Sequence, residues 1–306
     1  FRDEYAFTNL TASLGYVINF SENSSFRTNI GTAWRTPNMA ELYSFGQHGF
    51  KTSFGLLRHY SDDEGNLKTD KVIKVVNTSI KAENGYKFIN EFQFNKNKSR
   101  HTITAYANYI ENYIFDRPYA VIGTVRGPMP VFIFDQTNAF FIGSDYSWTM
   151  NWSKQFLGTF KFSYLYSKNI SKNESLINQP PISLSYNLNW NKKKLWKLKS
   201  SKLFITPSYT FKQYIAPRTI LPENLIDGSV IITSNSEIFD FKDAPEGYFI
   251  LDIGWRFNYK DLSASITVNN LLNTRYRDYL NDMRYFADEP GINVLFTLNY
   301  LFKSKK

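Results

Sequence analysis

Cysteine is absent from the 306-residue chain, which excludes disulfide scaffolds, thiolate metal sites and cysteine nucleophiles. Long apolar runs are missing too: none approaches the about 18 residues of a transmembrane helix, and the mean hydropathy is −0.39. Histidine is scarce, with three residues, and no glycine-rich phosphate loop joins a strand to a helix. We therefore expect neither an enzyme nor a bound cofactor.

The amino terminus lacks the features of a signal peptide. Phe1-Arg2-Asp3-Glu4 contains no basic start, and neither an apolar stretch nor a small-residue cleavage site follows it. We expect this chain to be the later part of something longer.

Acidic residues are outnumbered by basic ones, 27 to 36, which gives a net charge of +9. The basic residues cluster: six lysines and no acid lie between Asn191 and Lys202. Basic patches near aromatic residues are found in nucleic-acid-binding proteins. Solvated turns beside anionic lipid or cell wall explain them more simply, so we expect no nucleic-acid partner.

Aromatic residues are abundant, at 18% of the chain, and that much apolar surface is incompatible with disorder. Apolar and polar residues alternate with a period of two, as in a strand with one apolar and one polar face. For example, Ile182, Leu184 and Tyr186 alternate with Ser183 and Ser185. The pattern predicts an all-β fold of about 11 strands: 6–20, 25–34, 86–95, 100–114, 131–152, 157–168, 181–191, 202–212, 247–259, 261–271 and 292–302. A piece within 72–81 is a possible further strand.

A soluble sandwich also alternates, but three features favour a transmembrane barrel. The strands run to about ten residues, aromatic residues gather at their ends, and the polar face is rich in Ser, Thr and Asn, which suits a wet lumen. The connections also alternate strictly between short and long. Antiparallel strands place all the long ones at the same rim. The long outer loops are predicted at 35–85, 115–130, 169–180, 213–246 and 272–291.

The strand count creates a closure problem. A closed antiparallel barrel needs an even number of strands, whereas the first and last strands predicted here run in the same direction. We therefore expect the remaining barrel strands to lie on a preceding segment or on another chain.

Five segments resemble motifs of TonB-dependent outer-membrane receptors. Residues 32–43 (TAWRTPNMAELY) resemble the FRxPNxxELY segment of that family, and 67–70 (LKTD) look like a degraded form of the loop segment that follows it. Residues 109–114 (YIENYI) match a strand motif, 127–139 (GPMPVFIFDQTNA) are similar to a stretch of one subgroup, and 268–276 (VNNLLNTRY) resemble the penultimate-strand motif. The similarities run in order along nearly the whole chain.

The resemblance implies the carboxy-terminal half of a barrel of about 22 strands around a plug domain, with the plug not present in this chain. It implies the outer membrane of a Gram-negative bacterium, surrounding lipid as one partner, and TonB acting through the missing N-terminal part. The implied activity is uptake of a scarce nutrient, with a metal ion or metal complex of the zinc, haem or siderophore type as the expected cargo. A barrel that serves as a scaffold for other envelope proteins is the alternative.

Two groups of residues are candidates for a binding site. His48 and His59 lie in the first long loop with three acids, and neutral imidazoles with carboxylates bind divalent metals. This metal candidate comprises His48, His59, Asp62, Asp63 and Glu64. Arg284 and Tyr285 stand in the crowded last loop, where either mutual salt bridging or contact with a ligand or partner is possible.

Overall fold

The computed structural model describes residues 6–56, 58–59, 74–75, 80–125, 127–230 and 237–302. Its principal element is an antiparallel sheet whose strands follow one another in chain order. Eleven strands make up this path: β1 (Ser13–Ser21), β2 (Ser24–Arg35), β7 (Glu83–Lys96), β8 (Ser99–Thr124), β9 (Gly127–Asn151), β10 (Phe156–Asn169), β11 (Ser183–Lys192), β12 (Ser200–Thr210), β15 (Tyr248–Tyr259), β16 (Leu262–Asn269) and β17 (Asn293–Tyr300).

The remaining elements are short and lie in the long connections. They are α1 (Met39–Tyr43), β3 (Phe45–His48), β4 (Lys51–Phe54), β5 (Arg58–His59), β6 (Lys74–Val75), β13 (Arg218–Thr219), α2 (Pro222–Ile226), β14 (Phe239–Asp240) and a 3-10 turn (Asp282–Tyr285). The hairpin of β3 and β4 joins the sheet where β4 runs parallel to β9, with Thr52 opposite Val131. In the described part of the chain, no helix is long and apolar enough to cross a membrane.

The predicted all-β fold and the eleven-strand path are confirmed. β1 and β17 form the two ends of the path and run in the same direction, and no pairing joins them among the described residues. The sheet is therefore a barrel segment with two free edges, as the odd strand count predicted.

Two predicted strand boundaries differ from the structure. The first strand begins at Ser13 and not at residue 6, and the strand predicted at 100–114 extends into the segment 115–130, which was predicted as a long outer loop. β8 and β9 continue their ladder out to Thr124 and Gly127. Pro118 lacks an N–H group, yet the ladder continues past it, because the register shifts between Pro118 and Ala120 and such a bulge tolerates proline.

The wall of the sheet has two chemically distinct faces. One cross-strand row is polar, and its members are Thr104, Asp145, Ser163, Ser183 and Thr210. The adjacent row is apolar, and its members are Ile103, Tyr146, Phe162, Leu184 and Tyr209. Side chains directly opposite one another across a ladder share a face, so the period-two alternation becomes continuous polar and apolar surfaces.

Aromatic residues line the apolar face near the short turns. Trp190 stands opposite Leu203, which in turn stands opposite Trp255. His101 belongs to the same band: its ring stacks on Phe94, and its Nδ1 lies 2.8 Å from the hydroxyl of Tyr146. We call this end of the sheet the turn end, and the opposite end, with the long connections, the loop end.

Most of the buried apolar residues lie at the loop end, not in the wall. They form three clusters in the outer halves of β8 and β9 and the loops that pack on them. The first contains Phe115, Ala139, Phe141, Leu176, Ile177 and Ile238; the second contains Phe132, Ile220, Phe239 and Phe241; the third contains Phe54, Val131 and Ile133.

Candidate functional site at the loop end

The first long connection is anchored by a charged fork at its base. Arg35, the last residue of β2, donates from Nε and Nη2 to the two carboxylate oxygens of Glu83, at 2.6 and 2.8 Å, and from Nη1 to Glu41 at 2.8 Å. Glu83 also accepts from the backbone N–H of Ile114 at 2.6 Å. Bidentate pairing of this kind fixes direction as well as distance. The fork thus joins β2, β7, β8 and α1.

α1 begins with a capping box. The side chain of Asn38 accepts from the backbone N–H of Glu41 at 2.9 Å, and the Glu41 carboxylate accepts from the backbone N–H of Asn38 at 2.8 Å. Gly55 then passes so close to α1 that an added Cβ would lie 2.4 Å from the carbonyl oxygen of Leu42. Residues 35–55 are therefore a rigid structural unit, and we assign Arg35 and Asn38 to its architecture.

Lys51 connects this unit to two other connections. Its ammonium group donates to Asp116 in the outer part of β8 at 2.8 Å and also pairs with Asp282 in the last loop. Burial lowers the pKa of Lys51, but the two carboxylates outweigh burial and hold it above its usual value. Lys51 is therefore a charged bridge between residues that are distant in sequence.

Arg284 and Asp240 form a second, fully buried ion pair. Both side chains are 1% exposed, and Nη2 of Arg284 donates to Asp240 at 2.7 Å. Tyr285 completes the group, because its hydroxyl donates to the other oxygen of Asp240 at 2.7 Å. The guanidinium carbon of Arg284 lies 4.6 Å from the ring centroid of Tyr279 and 4.3 Å from that of Tyr285. Stacked rings help to stabilise a cation whose Nε and Nη1 have no hydrogen-bond partner among the described residues.

The electrostatics of this group follow from burial. Loss of water and the negative charge of Asp240 both raise the pKa of Tyr285, so its phenol stays protonated and able to donate. The pKa of Arg284 is also raised, since Tyr285 and Asp240 outweigh the lowering effect of burial. A further hydrogen bond of 3.2 Å reaches Asn178, so the group joins the 169–180, 213–246 and 272–291 connections.

Two pockets open between these loops. An apolar pocket of about 300 Å³ lies between the tip of the β8–β9 hairpin, the start of α2 and the last loop. Its lining residues are Val121, Pro128, Pro130, Leu221, Pro222, Glu223, Phe241, Lys242, Tyr285 and Phe286. A wider and more polar pocket of about 590 Å³ is lined by Asp116, Asn178, Asp278, Leu280, Asn281, Asp282 and Glu289.

The predicted ligand residues Arg284 and Tyr285 differ in accessibility. Arg284 is enclosed and holds the loops together, whereas the ring of Tyr285 lines the apolar pocket. Their partner Asp240 was missed by sequence reasoning, although an acid between Phe239 and Phe241 is a signal of a buried charge that needs a partner.

The predicted metal residues are only partly described. The backbone of His48 ends β3 and that of His59 ends β5. Asp62, Asp63 and Glu64 lie outside the described residues. Within the described ranges, no group of three or more His, Asp or Glu side chains is arranged to hold a metal ion.

The fold and the site together define a class: a membrane-barrel segment with a two-faced antiparallel wall, at one end of which ion pairs join the long connections. The model of the family "TonB dependent receptor-like, beta-barrel" matches residues 1–271. The chain therefore belongs to the TonB-dependent receptors, a family of outer-membrane receptors and transporters.

Solved structures of similar fold belong to the same family. The chain is 15% identical to the copper transporter OprC, with a TM-score of 0.64 over 95% of this chain and 39% of that one. It is 16% identical to the siderophore receptor PirA from Acinetobacter baumannii, with a TM-score of 0.62 over 96% of this chain and 41% of that one. It is 13% identical to the FrpB iron transporter from Neisseria meningitidis, with a TM-score of 0.59 over 95% of this chain and 39% of that one. The chain thus spans about two fifths of these proteins, and the likeness concerns the fold. No curated protein matches the chain.

Proposed function

We propose that this chain forms the carboxy-terminal part of the barrel of an outer-membrane receptor that takes up a metal ion or metal complex in a Gram-negative bacterium. One observation carries the proposal: Lys51 and Arg284 join the long connections of a TonB-dependent receptor barrel to one another, beside two open pockets. A loop end of this kind can hold a ligand before it passes into the lumen. The remaining strands, the plug and TonB would act through the rest of the receptor.

The orientation of the barrel is part of this proposal. The loop end faces outside the cell and the turn end faces the periplasm, because short periplasmic turns and long outer loops are typical of such barrels. Since the chain has no cysteine, single cysteines can be introduced at Val125 in the hairpin tip and at Lys194 in a short turn. A membrane-impermeant thiol reagent added to intact cells should label the first and not the second. The opposite pattern contradicts the orientation.

The cargo is proposed to be metal-based. The name of OprC gives copper and that of FrpB gives iron as the metal those proteins transport. For this chain, the histidines at positions 48 and 59 and the acids at 62–64 would supply ligands, with Tyr285 contacting the organic part of a complex. A tetrahedral Zn²⁺ shell has four ligands, and other loops or the plug would supply those that are missing.

Calorimetry of the whole receptor with Zn²⁺, haem and a ferric chelate tests the cargo. His48→Ala/His59→Ala should lower the affinity for one of these ligands, and binding should weaken below about pH 6.5, because only neutral imidazole ligates. His101→Gln, at the turn end, is the matched control. Unchanged affinity of the double variant for all three ligands rejects the histidine site.

A scaffold for other envelope proteins is the alternative function. Deleting the gene and measuring cell-associated zinc, iron and copper in metal-poor medium separates the two. Uptake requires a deficit of one metal, restored by the intact gene. Normal metal content, together with loss of an envelope complex, supports the scaffold instead.

A further inference from the structure

The turn between β11 and β12 differs in chemistry from the loop end. It carries five lysines, and no acid lies within 191–201. In the described structure none of the five makes an ion pair, and all are exposed: Lys192, Lys193, Lys194, Lys197 and Lys199. A concentrated positive charge without internal partners attracts an anionic surface.

The same turn presents an exposed aromatic ring. Trp196 is 84% exposed. Its backbone adopts φ of 50°, a left-handed conformation that non-glycine residues seldom adopt. The backbones of Leu195 and Leu198 exchange hydrogen bonds of 3.3 and 2.9 Å on either side of it, so Trp196 and Lys197 occupy the corner of a tight turn. The fold holds this indole away from the sheet, so the ring is available to an outside partner.

The position of the turn identifies that partner. Trp190 belongs to the apolar, lipid-facing row and stands opposite Leu203. Lys192 is two residues further along the strand than Trp190. It therefore points to the same side of the sheet, roughly 7 Å beyond Trp190 along the strand. Trp255 and Trp152 lie in the same band, where their indole N–H groups donate to Ser201 at 2.8 Å and Tyr186 at 2.9 Å. Indole rings of this kind sit at the headgroup level of a bilayer.

We propose that the Lys192–Trp196–Lys199 turn binds the phosphate groups of anionic phospholipids in the leaflet at the turn end. The lysine stems and the Trp196 ring lie along the interface, while the ammonium groups reach the headgroups. This binding requires the wall to span a bilayer, but it does not depend on the identity of the cargo. A soluble polyanion, such as nucleic acid, has no comparable need for an indole beside the lipid-facing row.

Native mass spectrometry of the whole receptor, released from detergent with equal amounts of phosphatidylglycerol and phosphatidylcholine, tests the proposal. The wild type should retain phosphatidylglycerol preferentially. Lys193→Ser/Lys194→Ser/Lys197→Ser should reduce that preference at least about tenfold, because each lysine near an anionic surface contributes to lipid binding. Trp196→Ala should lower the retention of both lipids.

The matched control removes the same charge from the opposite end of the sheet: Lys168→Ser/Lys172→Ser/Lys242→Ser should keep the lipid preference. Equal loss in the two triple variants overturns the proposal, since net charge alone then explains binding. Equal retention of both lipids by the wild type also overturns it. So does displacement of phosphatidylglycerol by a short RNA at equal concentration, which would identify a general polyanion site. Unfolding temperatures of all variants verify that each is folded.

Discussion

The wall and the loop end of this barrel segment are stabilised in different ways. In the wall, strands that are neighbours in space are also neighbours in chain order. Successive side chains along each strand point alternately to the polar and the apolar face. At the loop end, contacts join residues far apart in sequence: Lys51 and Asp282 are separated by 231 positions and Asn178 and Arg284 by 106. The wall therefore tolerates local change, whereas the loop end behaves as one connected unit.

Charge is also used differently in the two regions. On the polar face of the wall, groups such as Asp145 and Ser163 border a groove that is open to solvent. At the loop end, Arg284 and Asp240 are enclosed, and a buried charge that loses its partner is far more costly than an exposed one. Substitutions at the loop end should thus have larger and less local effects.

Removal of Asp240 is expected to have the largest effect. Asp240→Ala leaves Arg284 as an uncompensated buried cation, which costs about 3–5 kcal/mol. Hydrogen exchange of segments 237–241 and 276–289 in the reconstituted receptor measures the lowered free energy of local opening.

Two variants sharpen this result. Asp288→Ala breaks the more exposed Arg277–Asp288 pair and should cost much less, because exposed ion pairs contribute little to stability. Arg284→Met combined with Asp240→Ala should recover much of the loss, since no charge then remains buried. Equal costs for Asp240→Ala and Asp288→Ala would contradict the distinction between buried and exposed pairs.

The two faces of the wall predict the next largest difference. Phe162→Arg places a charge in the lipid-facing row and should cost about 2–4 kcal/mol near the bilayer midplane. Ser163→Arg, one position along β10, faces the polar side and should be tolerated. Denaturant unfolding of the receptor folded into lipid vesicles compares the two, and equal losses would mean that the faces are wrongly assigned.

Close packing of the loop unit predicts a smaller effect. Gly55→Ala pushes a methyl group against the Leu42 carbonyl oxygen and should destabilise the 35–55 unit by about 1–3 kcal/mol. Gly123→Ala provides the control, because nothing lies within 4 Å of a Cβ added there. Limited proteolysis of the first long connection should accelerate in the Gly55 variant and not in the control; the reverse result would refute the close approach.

The last substitution removes a single hydroxyl. Tyr285→Phe removes one hydrogen bond to Asp240 and should cost about 1–3 kcal/mol at neutral pH, since the acceptor is charged.

The pH dependence of Tyr285 supplies a second measurement. Its folded pKa is raised, so its contribution to stability is complete below the unfolded value of about 10 and is lost as the pH rises further. Stability at alkaline pH should therefore fall more steeply in the wild type than in Tyr285→Phe, with Tyr86→Phe in the wall as the control. Parallel pH profiles for wild type and Tyr285→Phe would rule out this linkage.

Sequence patterns predicted the wall well because strand alternation is a local property. The alternating residues around Phe162 and Tyr186 predict both that the segment is a strand and which side chains share a face. The same reasoning ended the fourth strand at residue 114, whereas in the structure ladder pairing continues past Pro118 to Thr124. A bulge depends on the partner strand, and the partner strand is not encoded near the proline.

The candidate site was predicted less completely. Arg284 and Tyr285 were singled out in a crowded charged loop, but the composition of that loop could not distinguish ligand contact from mutual salt bridging. Asp240 and Lys51 were not identified at all, because the role of each depends on an ion-pair partner that is distant in sequence.

By itself, the sequence determined the class of this protein: eleven alternating strands, short and long connections in turn, and an odd strand count that leaves two free edges. These features depend on residue order over about ten positions, which is the length scale of a strand. The tertiary structure alone decided which charges meet at the loop end, that Arg284 is enclosed with Asp240, and that 115–130 continues β8 and β9. Such contacts depend on the packing of segments tens to hundreds of residues apart, and burial then determines whether a charge is structural or available to a ligand.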